Sequence, residues 1–275
     1  MRPWSLLVLD APRADGAFEG GSALFDAAES VAVDRVADLP AAAARLEQRA
    51  NSYDLVVLCQ RYPGSISELE IDDLRRRAPL TRFWRMLGSW CEGEQRTGRP
   101  PAGCLGTYWH QASRLGRELA AARQGWVPIW AQPVTATAEE RALAALNVRR
   151  PDRGNRITVC AEHAQAAAAL AEACAAGGYL PQIAPQQAAL LAPAAIVWDT
   201  TAEKAADPAC VAKLRHHAGN APLIALVGFP RPGDMAAAAR AGVATVVSKP
   251  FFIQDLWWQL ERVAAGHAVP MAETA

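Results

Sequence analysis

The strongest constraint on this chain is a recurring alternation. Short, continuous apolar runs are separated by stretches with helical periodicity. In the second half the runs are Ile157 to Cys160, Tyr179 to Ala184, Ala194 to Trp198, Leu223 to Val227 and Val243 to Val247. Helical stretches lie at His163 to Ala176, Ala205 to His216, Met235 to Ala241 and Ile253 to Ala265. A strand that is apolar at every position, rather than every second one, is buried on both faces. Five such strands alternating with helices predict a parallel sheet covered by helices on both sides.

The first half reads the same way with less clarity. Strands are expected at Leu6 to Asp10, Val31 to Val33, Asp54 to Cys59 and Phe83 to Leu87, with helices at Leu39 to Ala50 and Ser65 to Arg77. An irregular insert, rich in Gly, Pro and charge, is expected at about 90–106, followed by a helix from Tyr108 to Arg123. Val127 to Trp130 is then the expected fifth strand, its Pro128 marking an edge or a strand start. A helix from Thr137 to Leu146 completes the half. The polar, basic segment 148–156 reads as a linker. The expected organisation is one α/β unit over 1–147, the linker, a second unit over 157–267 and a tail over 268–275. A length of 275 residues suits two units of that size.

The two halves read as an internal repeat. Asp54 to Cys59 matches Ala194 to Asp199, and Gly88 follows Cys59 at the distance at which Gly228 follows Asp199. Ala78-Pro79-Leu80 is paired with Ala221-Pro222-Leu223, and Gln132-Pro133 with Lys249-Pro250.

Two strand ends carry the chemistry. Ile196-Val197-Trp198-Asp199 ends in a carboxylate, and Val246-Val247-Ser248-Lys249-Pro250-Phe251 ends in an amine followed by proline. With Gly228 after the fourth strand, this half resembles the receiver domain of bacterial response regulators over about residues 156–266. The resemblance implies a flavodoxin-like fold, so the chain is expected to hold two doubly wound, parallel five-stranded sheets in tandem. It also implies a site in which an acidic pair and the third-strand Asp hold Mg²⁺, the Asp accepts a phosphoryl group, and a hydroxyl and the Lys contact it. A hard cation needs several carboxylate oxygens, and the transferred charge needs the cation and an ammonium nearby.

Carried over by position, Asp199 is the candidate phosphoacceptor, and Glu162, Lys249 and Pro250 are remnants of the site. Ala161 stands where one acid belongs, which leaves Glu162 and Asp199 as the candidate Mg²⁺ ligands. Val227 replaces the hydroxyl and Val246 the switch aromatic. The first half resembles the family more distantly over about residues 4–146, with Asp10 at the acid position, Cys59 at the acceptor, Leu87 at the hydroxyl and Gln132 at the lysine. The expected function is a non-enzymatic signalling or scaffold protein built from two degenerate, pseudo-receiver units acting through protein contacts; the alternative is a phosphorelay response regulator phosphorylated at Asp199 with Mg²⁺. With the chain closing soon after the second unit, no output domain is expected.

The densest remaining cluster is Trp90-Cys91-Glu92-Gly93-Glu94 with Arg96, Cys104, Tyr108, Trp109 and His110. Trp90, Arg96, Tyr108 and Trp109 are candidate partner anchors, since Trp, Tyr and Arg dominate binding hot spots. Alternatively, the tryptophans pin a loop to the sheet edge. Metal ligation by Cys91, Cys104 and His110 fits no standard zinc spacing. Trp258 faces away from the apolar stripe of the last helix and is a candidate contact for the other half or for another chain, a second copy included, unless it lies over the linker of its own unit. The Gly16, Gly20 and Gly21 loop lacks the residues of a phosphate-binding motif. Arg75, Arg76 and Arg77 with Arg82 and Arg85 form a local basic patch, read as a solvated helix end.

Six cysteines without paired spacing point to reduced thiols. An enzyme using Cys59 or Cys91 as nucleophile would need a histidine beside the thiol. A formal net charge of zero argues against nucleic acid as an obligatory partner. The N-terminal apolar stretch is too short for a signal peptide or a membrane span, so a cytoplasmic protein with no cofactor beyond Mg²⁺ is expected.

Overall fold

The computed structural model describes residues 4–10, 31–49, 52–91, 93–94, 101, 103–123, 132–133, 136–137, 140, 154–184, 192–218 and 221–264. The chain divides into two compact units, Met1–Leu146 and Asn147–Ala275. The expected Gly-rich loop, the strand at Val127 to Trp130, most of the helix at Thr137 to Leu146, most of the linker and the tail lie outside the described residues.

In the first unit the strands are β1 (Trp4–Leu9), β2 (Val31–Val36), β3 (Leu55–Gln60), β4 (Arg82–Leu87) and β5 (Cys104–Tyr108). They form one sheet in the order β2-β1-β3-β4-β5, every pairing parallel. Helix α1 (Leu39–Gln48) begins where the Asp38 side chain accepts a hydrogen bond from Ala41 N at 2.8 Å. Helix α2 (Glu68–Arg77) opens with a capping box. Ser67 Oγ accepts from Glu70 N, and Glu70 Oε2 accepts from Ser67 N at 2.7 Å. Ala42 and Leu46 of α1 with Ile71 and Leu74 of α2 pack on Leu7, Leu9, Val56, Leu58 and Phe83 of the sheet. Helix α3 (Ser113–Arg123) follows β5.

The second unit repeats this plan. Its strands β6 (Arg156–Cys160), β7 (Leu180–Ala184), β8 (Ala195–Asp199), β9 (Leu223–Gly228) and β10 (Thr245–Lys249) lie in the order β7-β6-β8-β9-β10, again all parallel. Counted within each unit, both orders are 2-1-3-4-5, the flavodoxin-like order. Helices α4 (Ala164–Ala176) and α8 (Ile253–Ala264) cover one face, sharing a core with Val159, Val197, Ile224 and Leu226. Helices α5 (Ala202–Ala206), α6 (Pro208–Ala218) and α7 (Pro232–Arg240) belong to the second half as well. Ala205, Val211 and Ala238 from these three share the other core with Ile196, Ala225 and Val227.

The sequence reading misplaced one strand and its neighbours. The fifth strand of the first sheet is Cys104–Tyr108, and the helix expected from Tyr108 starts at Ser113 after a 3-10 turn at Trp109–Gln111. The 90–106 stretch is therefore no insert. Seventeen positions separate Leu87 from Cys104, and seventeen separate Val227 from Ala244. Strand register aligns Cys59 with Asp199, Gly88 with Gly228 and Cys104 with Ala244, each pair 140 positions apart. The proposed pairing of Ala78-Pro79-Leu80 with Ala221-Pro222-Leu223 is three residues out of that register. The one expected helix over Ala205 to His216 is two, divided at Asp207, whose side chain accepts from Ala209 N at 2.8 Å.

A close approach fixes the seat of α8. A Cβ built on Gly177 would lie 2.3 Å from Trp257 Nε1. Trp257 is buried there and donates to Ala173 O at 2.8 Å, so the indole needs the space the glycine leaves. Gly177→Ala is expected to displace the indole and cost about 1–3 kcal/mol, the usual range for overpacking. A urea denaturation midpoint equal to that of the unaltered protein would contradict this packing.

Candidate functional site

Parallel strands in register deliver their carboxyl ends to one edge, where ligands bind in open α/β sheets. In the second unit this edge holds Asp199 at the end of β8 and Lys249 at the end of β10. Lys249 Nζ donates to Asp199 Oδ1 at 2.6 Å, across the end of β9. The register partner of Lys249 is Gly228, so no side chain of the central strand stands between amine and acid. The Asp199 side chain keeps 24% of its exposure. The Lys249-Pro250 peptide is cis.

The other expected members of the site point elsewhere. Glu162 is exposed, and Lys204 Nζ, from α5, donates to Glu162 Oε2 at 3.0 Å. That ion pair holds the Glu162 carboxyl below its usual pKa. Val227 and Val246 are buried in the apolar core. Thr200, next to Asp199, is buried, and among the described residues its Oγ1 has no hydrogen-bond partner. Phe229 and Phe252 are exposed beside the strand ends, and Phe229 has a φ of 43°, a left-handed backbone that a bulky residue seldom adopts.

In the first unit the acceptor position is Cys59, which is buried. Thr107 of β5 is in register with Met86, and Met86 with Cys59, as Val247 is with Leu226 and Asp199. The lysine position two residues on is therefore Trp109, not Gln132. Trp109 is buried. The amine of the second unit is thus replaced by a core indole.

A different polar group occupies this end of the first sheet. Arg85, Gln60 and Glu94 form a closed ring of hydrogen bonds. Arg85 Nε donates to Gln60 Oε1 at 3.0 Å, and Gln60 Nε2 donates to Glu94 Oε2 at 3.1 Å. Arg85 Nη2 donates to Glu94 Oε1. Arg85 and Gln60 are buried, and Arg85 is in register with Gly106, which carries no side chain to compete for the space. Sequence reading placed Arg85 in a solvated basic patch. An arginine inside an otherwise apolar strand was the signal of a buried partner. The three helix arginines of that patch are paired on their own helix and beside it: Arg75 with Asp72, Arg76 with Asp73, and Arg77 with Asp73 and Glu47.

The anchor candidates separate into two groups. Trp90 is 68% exposed and meets exposed Tyr62 at 6.2 Å between ring centroids, while the Arg61 guanidinium lies over the Tyr62 ring at 5.1 Å. Tyr108 and Trp109 are buried, packed against His110 at 5.5 Å each, and are not available as surface anchors. Trp258 is half-buried beneath the Arg262 guanidinium, 4.6 Å from its ring centre. Arg96 lies outside the described residues. Among the described residues no three His, Cys, Asp or Glu side chains converge as metal ligands, and Cys91, Cys104 and His110 do not form such a set.

Four of the buried thiols are poor nucleophiles. Burial, followed by the charge of Glu94 and a hydrogen bond to it, pushes Cys91 up to about 12. Burial alone pushes Cys174 up to about 12 and Cys160 up to about 11. Burial also outweighs Arg75 and Arg85 at Cys104, which rises to about 11.

No family model and no curated protein matches the chain. Among solved structures it is similar to a response regulator from Thermotoga maritima, at 14% identity over 41% of this chain and 98% of that one, with a TM-score of 0.35. It is also similar to the E. coli RcsC C-terminus containing a linker region and phosphoreceiver domain, at 10% identity over 97% and 94% of the two chains, with a TM-score of 0.30. A third is a probable two-component system response regulator/GGDEF domain protein, at 11% identity over 96% and 99%, with a TM-score of 0.33. The receiver-like fold itself stands on the strand order and register within this chain.

The buried thiols make stability fall in alkali. An unfolded thiol ionises near pH 8.5, whereas these hold their protons to about 11–12, so between those limits the unfolded chain binds fewer protons. Their contribution is complete below about pH 8.5 and is lost as pH rises through the folded values. The urea midpoint is expected to decline from about pH 9 upward, and Cys174→Ala to flatten that decline. A midpoint that climbs across the range would contradict the burial of these groups.

Proposed function

We propose that the chain is a non-enzymatic signalling or scaffold protein whose two receiver-like units act through protein contacts. The observation that carries this reading is the pairing of both surviving carboxylates with lysines of the same unit. Lys204 holds the exposed Glu162 and Lys249 holds Asp199, so each carboxylate already has its own ammonium as counter-ion. Val227 supplies no hydroxyl, and the first unit has a buried thiol at the acceptor position.

Exposed aromatics near both sheet edges support a contact role. Trp90 with Tyr62 marks the first unit, and Phe229 with Phe252 the second. Both Trp90 and Phe229 lie just beyond β4 or its counterpart β9. Aromatic groups concentrate binding energy when a partner desolvates them. The partner is read as a protein, or a second copy of this chain, in the cytoplasm. Among the described residues no helix is long and apolar enough to cross a membrane.

One observation favours a second reading, phosphorylation at Asp199 with Mg²⁺. The acid stands at the strand end with 24% of its side-chain surface exposed. The two readings part on treatment with Mg²⁺ and acetyl phosphate or beryllofluoride. The expected result is an unchanged intact mass and unchanged spectra. A phosphoryl adduct that disappears in Asp199→Asn would establish the second reading instead. Lys204→Ala is expected to leave Mg²⁺ affinity nearly unchanged, because an exposed ion pair is screened by water and contributes little. Isothermal titration with MgCl₂ measures it.

A further inference from the structure

The Arg85–Gln60–Glu94 ring has no counterpart in the second unit. At the positions 140 residues on stand Ala225, Thr200 and Asp234. Ala225 is a buried core residue, and Asp234 accepts a hydrogen bond from Arg231 N at 2.8 Å at the start of α7. The acid thus serves a helix start in one unit and reaches a buried guanidinium in the other. All three positions differ together, as a single polar assembly requires.

The bonding is that of a receptor and its ligand. Arg85 and Gln60 are both on sheet strands, in β4 and β3, and Gln60 orients the guanidinium through its own carbonyl oxygen. Gln60 Nε2, which also donates to Tyr62 O at 3.0 Å, and Arg85 Nη2 then face the two oxygens of one carboxylate. Only one orientation of the Gln60 amide satisfies both neighbours, so the cradle is set for an anion. Glu94 comes from the connection after β4, and its side chain is the most exposed of the three, at 15% against 5% for that of Arg85. The cradle therefore opens to solvent where its ligand enters. Cys91, on the same connection, reaches the backbone oxygen of Gln60 at 3.6 Å, so both contacts hold the Trp90-bearing turn to the strand ends.

The geometry points to a carboxylate-binding site formed by Arg85 and Gln60, occupied by the chain's own Glu94 as an intramolecular ligand. The first unit thus supplies its own anion, on the same connection that carries the exposed Trp90. A ligand tethered in this way meets its site at high effective concentration, so free carboxylates do not compete with it. Removing the Glu94 side chain leaves a buried cation facing an open anion-shaped space, which a small carboxylate then fills.

The test uses the full chain and sodium acetate, with sodium chloride at equal ionic strength as control. Glu94→Ala is expected to unfold at a lower temperature than the unaltered protein and to recover with acetate, saturably, while the unaltered protein shows no acetate response. Hydrogen exchange localises the effect: acetate is expected to slow exchange in peptides containing Gln60 and Arg85 of Glu94→Ala. Equal responses to acetate and chloride, an acetate response of the same size in the unaltered protein, or protection confined to other peptides would each overturn the assignment. Should Glu94→Ala not fold without added anion, its refolding yield in acetate against chloride gives the same decision.

Discussion

Everything functional in this molecule depends on strands that are apolar at nearly every position pairing in parallel register. Burial on both faces leaves such strands no solvent side, so the sheet must be covered twice and its polar groups are driven to the strand ends. Register then aligns those ends. Asp199 and Lys249 meet over Gly228 because β8, β9 and β10 are in step, and Gly228 offers no side chain to separate them. The same register in the first unit sets Cys59, Gly88 and Trp109 on the corresponding row.

From that shared plan the two units treat charge in opposite ways. The second keeps its ion pairs near the surface, where water screens them and they contribute little to stability. The first has moved its charge inward. A buried guanidinium costs several kcal/mol unless its donors are matched, and Gln60 with Glu94 match them. The outer pair stays within reach of chemistry and partners, and the inner one serves as an anchor. Both ends nevertheless display aromatic side chains, Trp90 with Tyr62 and Phe229 with Phe252, so the aromatic surface is common to the units while the polar site is not.

Most strands and helices were legible because apolar runs and capping residues are local signals. The run read at Asp54 to Cys59 is the strand Leu55–Gln60 to within one residue, and the helix read from Ser65 starts at Glu68 behind the Ser67 cap. The fifth strand of the first unit was not legible. Cys104-Leu105-Gly106-Thr107-Tyr108 contains a glycine and a threonine, which weaken a strand pattern, and the more apolar Val127-Pro128-Ile129-Trp130 drew the expectation away. Gly106 makes sense only beside Arg85, a partner on the neighbouring strand. Lys204 was missed for the same reason, since its contact with Glu162 spans 42 positions.

Sequence by itself determined the architecture: two flavodoxin-like units, an Asp and a Lys at the carboxyl ends of the second sheet, and no matching charges at the acceptor row of the first. The alternation and the charged strand ends follow from periodicity and spacing, and the strand order and acceptor row from the resemblance to receiver domains, all read from the chain in order. Tertiary structure alone decided which charges meet. It gave Glu162 to Lys204 and Glu94 to Arg85, buried Tyr108 and Trp109 while exposing Trp90, and put an indole at the lysine position. Those outcomes depend on strand register and side-chain reach, and both are set only once distant segments have packed.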